Sequence, residues 1–364
     1  MDKKKQVLWL SWHPSHYNDY LFQELSRIYN VNFEAVFLRK VLPSHPWGKD
    51  SAYQFKKRYL KTVWFPDIVF FIEVLLQRKF FVIAGWNNIN MLLGIVVLSF
   101  LNKKFAIWSD TPNLEIRRSW IKKQTRNLFL KWLFRKVHIV LTTGEPGKRA
   151  FVEMGCPEAK VVNFPFATDL DFFKPIDEVK ATNGEVIFLM SGRIDWKDKG
   201  QDKALYALKS LLQKGYTCKL RIAGTGPDMD KTVGLIKKLK LEDYVELVGW
   251  LELEELPGFY TSGQVFLHPS SFDPYPNSVL EALACGTPVI ASEKAGSAAD
   301  RILDWKNGFL LHNTDNSVLS DIMQRFLDTP SLIARMSAMA RDIATKHGVQ
   351  NNVTSIKEII NALP

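Results

Sequence analysis

The sequence has few cysteines and no hydrophobic run long enough to cross a bilayer. Its three cysteines, Cys156, Cys218 and Cys285, are far apart and form no C-x-x-C pair. This argues against a disulfide framework or a zinc site and favours a reducing compartment. The most apolar stretch, residues 89–101, is about 13 residues long, whereas a membrane span needs about 20. No signal peptide is visible either. We therefore expect a cytoplasmic protein in which residues 89–101 form a buried helix.

Positive charge is distributed unevenly along the 364 residues. Residues 1–175 contain 27 Lys and Arg against 14 Asp and Glu, whereas the remainder contains 21 against 24. Residues 117–137 contain eight Lys and Arg, no Asp or Glu, and several aromatic side chains. This composition is typical of a helix lying on anionic lipid, and also of a core-packed helix with a solvated basic face. We expect no nucleic-acid partner, because no recognised nucleic-acid-binding motif accompanies the charge.

The chain length favours two domains. Apolar strands alternate with helical segments in both halves. Residues 186–191 are continuously apolar, which is typical of a parallel strand buried on both faces. In the first half, a strand at residues 5–10 leads into a polar loop at residues 11–19, and a helix is predicted from about residue 20 to residue 29.

The most informative stretch spans residues 265–291. A short apolar strand leads into a loop with three prolines and Asp273, and then into a helix with Asn277 or Ser278 as the expected N-cap. A helix N-terminus at the carboxyl end of a parallel strand favours anions, because unpaired N–H groups and the helix dipole face the loop. Glu281 follows Asp273 by eight residues, so we expect it to face the crevice that the loop lines.

This stretch resembles the donor-binding segment of family 4 glycosyltransferases, which are retaining enzymes of the GT-B fold. Their signature is an acidic residue, seven others and a Glu, followed by Ala-x-Ala-x-Gly-x-Pro-Val-Ile. The matching positions are Asp273, Glu281, Ala282, Ala284, Gly286, Pro288, Val289 and Ile290. The sequence departs from the family at Asp273, where Glu is usual. The resemblance is strong over residues 184–311 and reaches the first half only in the order of its elements.

The resemblance implies an α/β protein of the GT-B class, with two Rossmann-like domains facing a central cleft. We assign residues 1–168 to an acceptor-binding domain and residues 169–345 to a nucleotide-sugar-binding domain. Residues 346–364 are expected to form a helix that returns to the first domain.

The resemblance also implies roles for individual residues. Arg193 and Lys199 match a Gly-Arg and Lys-Gly pattern and would neutralise the leaving diphosphate. Lys197 competes for the second role, because the gap between the two is one residue longer than usual. Asp273 would hold a sugar hydroxyl, and Glu281 would accept hydrogen bonds from the ribose hydroxyls. Further donor contacts are expected from Gly224, Gly226, Tyr275, Pro276, Asn277, Ser278 and Val279.

The acceptor side rests on fewer residues. Asp110 lies near the position where many relatives place a His that touches the donor sugar, so it is a catalytic candidate; the alternative is a turn cap. His13 and His16 lie in the first loop, where the family often has a glycine-rich stretch, and are expected to shape the acceptor pocket. They lack a third ligand nearby, so we expect no metal site. No cofactor is expected beyond the nucleotide-sugar substrate.

The resemblance therefore predicts a retaining glycosyltransferase. It would move a sugar from a nucleotide-sugar donor to a hydroxyl of a lipid-linked or saccharide acceptor, in polysaccharide or lipopolysaccharide assembly. The basic segment at residues 117–137 would place it peripherally on the inner face of a membrane. Two alternatives stay open, a nucleotide-sugar epimerase on the same scaffold and a non-catalytic nucleotide-binding partner of another transferase.

Overall fold

The structure, a computed structural model, describes residues 4–28, 30–41, 53–77, 79–176 and 185–362. The chain forms two compact domains. The first extends to Ala167 and includes the residues from Val349 onward, and the second runs from Thr168 to Gly348. Each domain has a parallel sheet and its own hydrophobic core.

Seven strands of the described residues make the sheet of the first domain. They are β1 (Lys5–Ser11), β2 (Val31–Phe37), β3 (Lys57–Tyr59), β4 (Phe80–Ala84), β5 (Phe105–Ser109), β6 (Ile139–Thr142) and β7 (Val161–Asn163). Their order across the sheet is β3-β2-β1-β4-β5-β6-β7, and every pair is parallel. The order of the chain reverses beside β1, so the carboxyl ends of β1 and β4 border a topological switch point, where open α/β sheets bind ligands.

Helices cover both faces of this sheet. They are α1 (His16–Ser26), α2 (Ile68–Leu76), α3 (Ile89–Phe100), α4 (Trp120–Lys136) and α5 (Gly144–Glu153). On one face, α1 packs together with the C-terminal helix, Gln350–Asn361, around the buried ring of Trp9. On the other face, α2, α3 and α4 share a second core.

Two sequence expectations concern these helices. The helix predicted from residue 20 to residue 29 instead begins at His16 and ends at Ser26. The reason is the cap: Ser15 Oγ accepts the N–H of Asn18 at 3.3 Å, which starts the helix inside the polar stretch taken for a loop. Residues 89–101 are almost entirely helix α3, whose inner side chains are buried against the sheet. None of the described helices combines the length and hydropathy needed to cross a bilayer.

The second domain repeats this plan. Its described strands are β8 (Val186–Ser191), β9 (Cys218–Ala223), β10 (Val245–Gly249), β11 (Val265–His268), β12 (Val289–Ser292) and β13 (Gly308–Leu311). They pair in parallel in the order β10-β9-β8-β11-β12-β13. The switch point of this sheet therefore lies between the carboxyl ends of β8 and β11.

The helices of the second domain are α6 (Trp196–Lys199), α7 (Gln201–Gln213), α8 (Met229–Leu239), α9 (Leu256–Thr261), α10 (Asn277–Ala284), α11 (Gly296–Arg301), α12 (Asn316–Asp328) and α13 (Ser331–Thr345). A large apolar core lies between the sheet and α7, α8 and α12. A second core contains α9, α10 and the alanines of α13. These two cores fix the loops at the carboxyl edge of the sheet.

Candidate active site

The loops after β8 and β11 bring three polar side chains together at the switch point of the second domain. The Lys199 ammonium forms an ion pair with Asp273 Oδ2. His268, the last residue of β11, places its Nε2 3.0 Å from the same oxygen. Asp273 and His268 are both buried. One carboxylate oxygen therefore receives two donors, one from each loop that borders the switch point.

The backbone of the Asp273 loop is also fixed. The N–H of Asp273 donates to the carbonyl of Lys294 at 3.2 Å, and the N–H of Gly296 donates to the carbonyl of Asp273 at 2.9 Å. Both partners belong to the segment after β12. The loop after β11 is therefore bonded to the neighbouring loop, which fixes the backbone that carries the Asp273 carboxylate.

Electrostatics keep this carboxylate ionised. Burial raises the pKa of Asp273, but the Lys199 ammonium and the hydrogen bond from His268 outweigh burial and hold that pKa well below its usual range. Burial lowers the pKa of His268, so its imidazole is neutral at pH 7 and donates through Nε2. Asp273 is thus a permanent acceptor and cannot supply a proton. No pattern in the sequence indicates a role for His268, because sequence alone does not show which strand-end side chain a loop carboxylate will contact.

Arg193 has different partners from Lys199. Its guanidinium is partly exposed and lies 2.9 Å from Asp195 and 3.2 Å from Asp198, both in its own loop. The single turn of α6 separates it from Lys199, and Asp195 caps that turn by accepting the N–H of Asp198. Lys197 is exposed, whereas Lys199 points to Asp273.

The glycine turn after β9 is needed for a close backbone contact. Gly224 has φ +129°, and a Cβ there would lie 1.9 Å from the carbonyl oxygen of Gly192. A Cβ on Gly226 would lie 2.3 Å from the carbonyl oxygen of Ile194. Both glycines therefore let the β9 loop pack directly on the loop that carries Arg193. The structure gives them this positioning role for the neighbouring loop.

The start of α10 differs from the sequence expectation. Pro276 is the N-cap, with φ −64°, so neither Asn277 nor Ser278 holds that position; they are the first two helical residues. Proline is suited to a helix start because its φ is already close to helical. No side chain caps this helix. The first-turn N–H groups, which include those of Asn277, Ser278 and Val279, are therefore available to an anion.

Tyr275 directly precedes this helix start, and the side chain of Arg301 packs against its ring. Its ring is buried, and the guanidinium carbon of Arg301 lies 4.6 Å from the ring centroid. Arg301 is completely buried, and none of its three guanidinium nitrogens has a hydrogen-bond partner among the described residues. Arg301 therefore contacts the loop before α10 through the aromatic face of Tyr275.

Glu281 lies inside α10 and is buried. Its Oε2 accepts the hydroxyl hydrogen of Tyr260 at 2.7 Å, and that hydroxyl also lies 2.8 Å from Ser191 Oγ at the end of β8. Burial, followed by the Glu281 charge, raises the pKa of Tyr260 well above its ordinary value. The phenol is therefore a fixed donor that orients Glu281 next to the end of β8.

The first domain carries a pocket at its own switch point. Its cavity volume is about 430 Å³. Its wall is formed by Ser11, Trp12, His13, Tyr17, Asn18, Ala84, Gly85, Trp86, Asn87, Trp108, Ser109, Asp110 and Phe166. These residues follow or end β1, β4 and β5, apart from those of α1 and Phe166. Five of them are aromatic, which no motif in the sequence indicated.

The structure separates the three acceptor-side candidates. His13 and Asp110 both line the pocket, whereas His16 is the first residue of α1 and is not part of its wall. His13 Nδ1 donates to the carbonyl of Pro14 at 2.7 Å, and burial lowers the pKa of His13. Its ring is thus held neutral, with Nε2 as an acceptor. No group of three or more His, Cys, Asp or Glu with metal-site geometry occurs in the described ranges.

Comparison with known families gives a match to the second domain. Residues 172–343 match the family model described as "Glycosyl transferases group 1". The second domain is therefore similar to the glycosyl transferases of this group. The chain is 29% identical over 208 residues to the putative colanic acid biosynthesis glycosyltransferase WcaL of Escherichia coli, which covers 55% of this chain and 50% of that protein.

A second similar protein is the GDP-mannose-dependent alpha-(1-6)-phosphatidylinositol monomannoside mannosyltransferase of Mycolicibacterium smegmatis. It is 28% identical over 200 residues, which are 51% of this chain and 52% of that protein. The chain thus spans about half the length of the curated relatives it matches.

Solved structures extend the likeness to the fold of the whole chain. The structure of Anabaena Alr3699/HepE in complex with UDP superposes with a TM-score of 0.79 at 17% identity, over 98% of this chain and 100% of that one. The lipopolysaccharide outer core galactosyltransferase WaaB, in its apo form, gives a TM-score of 0.69 at 16% identity, over 97% and 99%. With two Rossmann-like domains, the chain has the GT-B fold.

Proposed function

We propose that the protein is a retaining glycosyltransferase of the family 4 type that uses a nucleotide-sugar donor. The observation that carries this proposal is the cluster of Lys199, Asp273 and His268 beside the open N-terminus of α10. An ionised carboxylate with both donors on one oxygen is suited to hold a sugar hydroxyl in a fixed position. The helix N–H groups and the nearby cations suit a diphosphate.

The proposed reaction breaks the bond between the anomeric carbon and the donor diphosphate. The acceptor hydroxyl oxygen bonds to that carbon on the same face, and its proton passes to the departing phosphate oxygen. Arg193 and Lys199 stabilise the negative charge that develops on the diphosphate. Asp273 does not act as an acid, because its pKa is held low. Under this proposal Glu281, oriented by Tyr260, binds the ribose.

The acceptor is proposed to enter the pocket of the first domain. Aromatic side chains offer flat apolar faces, and Asp110 with the neutral ring of His13 offers hydrogen bonding. This combination suits a saccharide whose hydroxyls are recognised at a few points. The name of the Escherichia coli relative supports a role in polysaccharide assembly. We further propose that the basic segment 117–137 contacts an anionic membrane surface.

A thermal-shift screen tests the donor site. Uridine, guanosine, adenosine and thymidine diphosphates and their sugars are compared on the wild type and on Arg193→Ala. The proposal predicts that one base stabilises the wild type and that the variant responds less. The stabilising nucleotide sugar is then incubated with candidate acceptors, and product is measured. No response to any nucleotide would contradict the proposed donor site. Epimerised donor without acceptor favours the epimerase, and binding without turnover favours the non-catalytic partner.

A further inference from the structure

Helix α2 of the first domain is apolar on both sides. Its inner residues Phe70 and Val74 are completely buried in the core. Its outer residues Ile68, Ile72 and Leu76 recur at intervals of four and are 75%, 48% and 78% exposed. A helix that is apolar all round is normally enclosed by protein or by lipid. The outer side of α2 thus requires an occupant.

The exposed apolar surface continues beyond the helix. Trp64 and Phe65, in the loop that leads into α2, are 72% and 73% exposed. Val69 and Leu75 are also exposed. We refer to residues 64, 65, 68, 69, 72, 75 and 76 as the α2 face. Soluble proteins rarely expose such contiguous apolar groups unless the surface has a partner.

Charge distinguishes among the partners that could cover this face. The acidic side chains within residues 61–76 are Asp67, which is buried and caps α2, and Glu73, which forms an ion pair with Arg58. Neither presents free negative charge to solvent. By contrast, Arg39 lies over the Trp64 ring at 5.1 Å.

Cations also lie at the far end of the helix. Lys103 donates to the carbonyls of Val74, Leu75 and Gln77, which ties the end of α3 to the end of α2. The exposed Lys104 follows it, and Lys136 of α4 lies 3.5 Å from Asn102. Apolar side chains bordered by cations and without free acids match the interface of an anionic bilayer. A second copy of this basic surface would bring like charges together.

The α2 face also lies next to the pocket of the first domain. Asn88 caps α3 and donates to the carbonyl of Val63 at 2.9 Å, directly before Trp64. Asn90 donates to the carbonyl of Phe65 at 3.1 Å. The preceding residues, Trp86 and Asn87, line the pocket. The loop that begins the α2 face is therefore bonded to the segment that forms the pocket wall.

We propose that the α2 face docks on an anionic phospholipid bilayer, with Trp64 and Phe65 at the lipid interface beside the pocket. This places an apolar contact on α2. The basic helix α4 adds positive charge, and its Trp120, Ile121 and Leu128 are also exposed. A further consequence, which rests on the proposed function, is that the acceptor is a lipid-linked saccharide presented from the bilayer.

Flotation with vesicles tests the docking. Wild-type protein is mixed with phosphatidylcholine vesicles that contain or lack phosphatidylglycerol. We expect flotation with the anionic vesicles and loss of flotation at high salt. The double variant Ile68→Ser/Leu76→Ser should bind at least roughly tenfold more weakly, because it removes two exposed aliphatic groups. The double variant Lys122→Gln/Lys123→Gln should bind the anionic vesicles about fivefold more weakly for each lysine that contacts the lipid surface.

The controls keep the outcomes separate. Val152→Ser changes an exposed apolar residue on α5 of the same domain and should leave flotation unchanged. Equal flotation of wild type and Ile68→Ser/Leu76→Ser, or no flotation of the wild type, overturns the proposal. So does a wild-type dimer that this double variant converts to monomer, since the face is then a subunit interface. The nucleotide thermal shift, measured on the same proteins, reports the donor site separately, so a failure of docking is distinguishable from a failure of the proposed function.

Discussion

The two switch points of this molecule have the same sheet topology and opposite chemistry. At the switch point of the second domain, the half-buried Lys199 and the buried His268 both contact the buried carboxylate of Asp273. At that of the first domain, Trp12, Trp86 and other rings line an open pocket. The two sites share one topology, and under the proposed function the second domain binds a diphosphate whereas the first domain binds a saccharide.

The largest effect is expected from Asp273→Asn. The amide keeps the shape of the side chain but removes the negative charge that Lys199 and His268 both contact. We expect donor turnover to fall roughly 10²–10³-fold, as for loss of one preorganised electrostatic contact. Initial rates of nucleoside diphosphate release measure this. An unchanged rate would show that the charged cluster of the second domain is structural only.

The next effect concerns the buried cation of the second domain. Arg301 is completely buried without hydrogen-bond partners among the described residues, so its desolvation is compensated only by the Tyr275 ring. We expect Arg301→Met to raise the free energy of unfolding by about 1–3 kcal/mol. Urea denaturation measures the change. If Arg301→Met is less stable than the wild type, the guanidinium makes favourable interactions in the folded protein and this expectation is wrong.

A smaller and domain-specific effect is expected in the pocket. Trp86→Ala removes one aromatic wall, so the KM for the acceptor should rise about tenfold while nucleotide affinity stays unchanged. Phe100→Ala is the matched control, since Phe100 is an exposed aromatic residue of the same domain that does not line the pocket. A loss of nucleotide affinity in Trp86→Ala would contradict the proposal that the first domain binds the acceptor and the second domain binds the nucleotide.

The smallest effect is a pH dependence in the second domain. Burial, followed by the charges of Arg301 and Lys346, lowers the pKa of His347 to about 4. The unfolded chain binds this proton at a pKa of about 6.5, so protonation favours unfolding as the pH falls from about 6.5 to about 4. We expect a loss of about 1 kcal/mol between pH 7 and about pH 5.5. His347→Gln should flatten this slope in thermal melts, and an equally steep slope in the variant would assign it to other groups.

The sequence predicted the second domain far better than the first, for a physical reason. The donor site proposed for it rests on specific charges at fixed spacing, so Arg193, Lys199, Asp273 and Glu281 could be proposed from the pattern. The sequence did not indicate contacts that form only in the folded second domain, such as the contact of His268 with Asp273. The sequence also could not show that Arg193 pairs with acids in its own loop and Lys199 with Asp273.

In the first domain the relevant property is shape. The pocket combines residues from three strand ends, α1 and the end of the domain, and no spacing along the chain brings Trp12, Trp86 and Phe166 together. The basic segment 117–137 drew attention in the sequence, but exposed apolar side chains also lie along one face of α2. Exposure depends on which face of a helix the sheet covers, and α2 is apolar on both faces, so its sequence pattern could not indicate an exposed side.

The most direct test of the account compares Lys199→Met with Lys197→Met. These lysines are two residues apart, but only Lys199 contacts Asp273 at the switch point. Isothermal titration with the stabilising nucleoside diphosphate gives both affinities. Lys199→Met should weaken binding at least tenfold, as expected for a lost charge-assisted contact, and Lys197→Met should bind like the wild type. Equal affinities for the two variants would contradict the assignment of the donor site to this cluster.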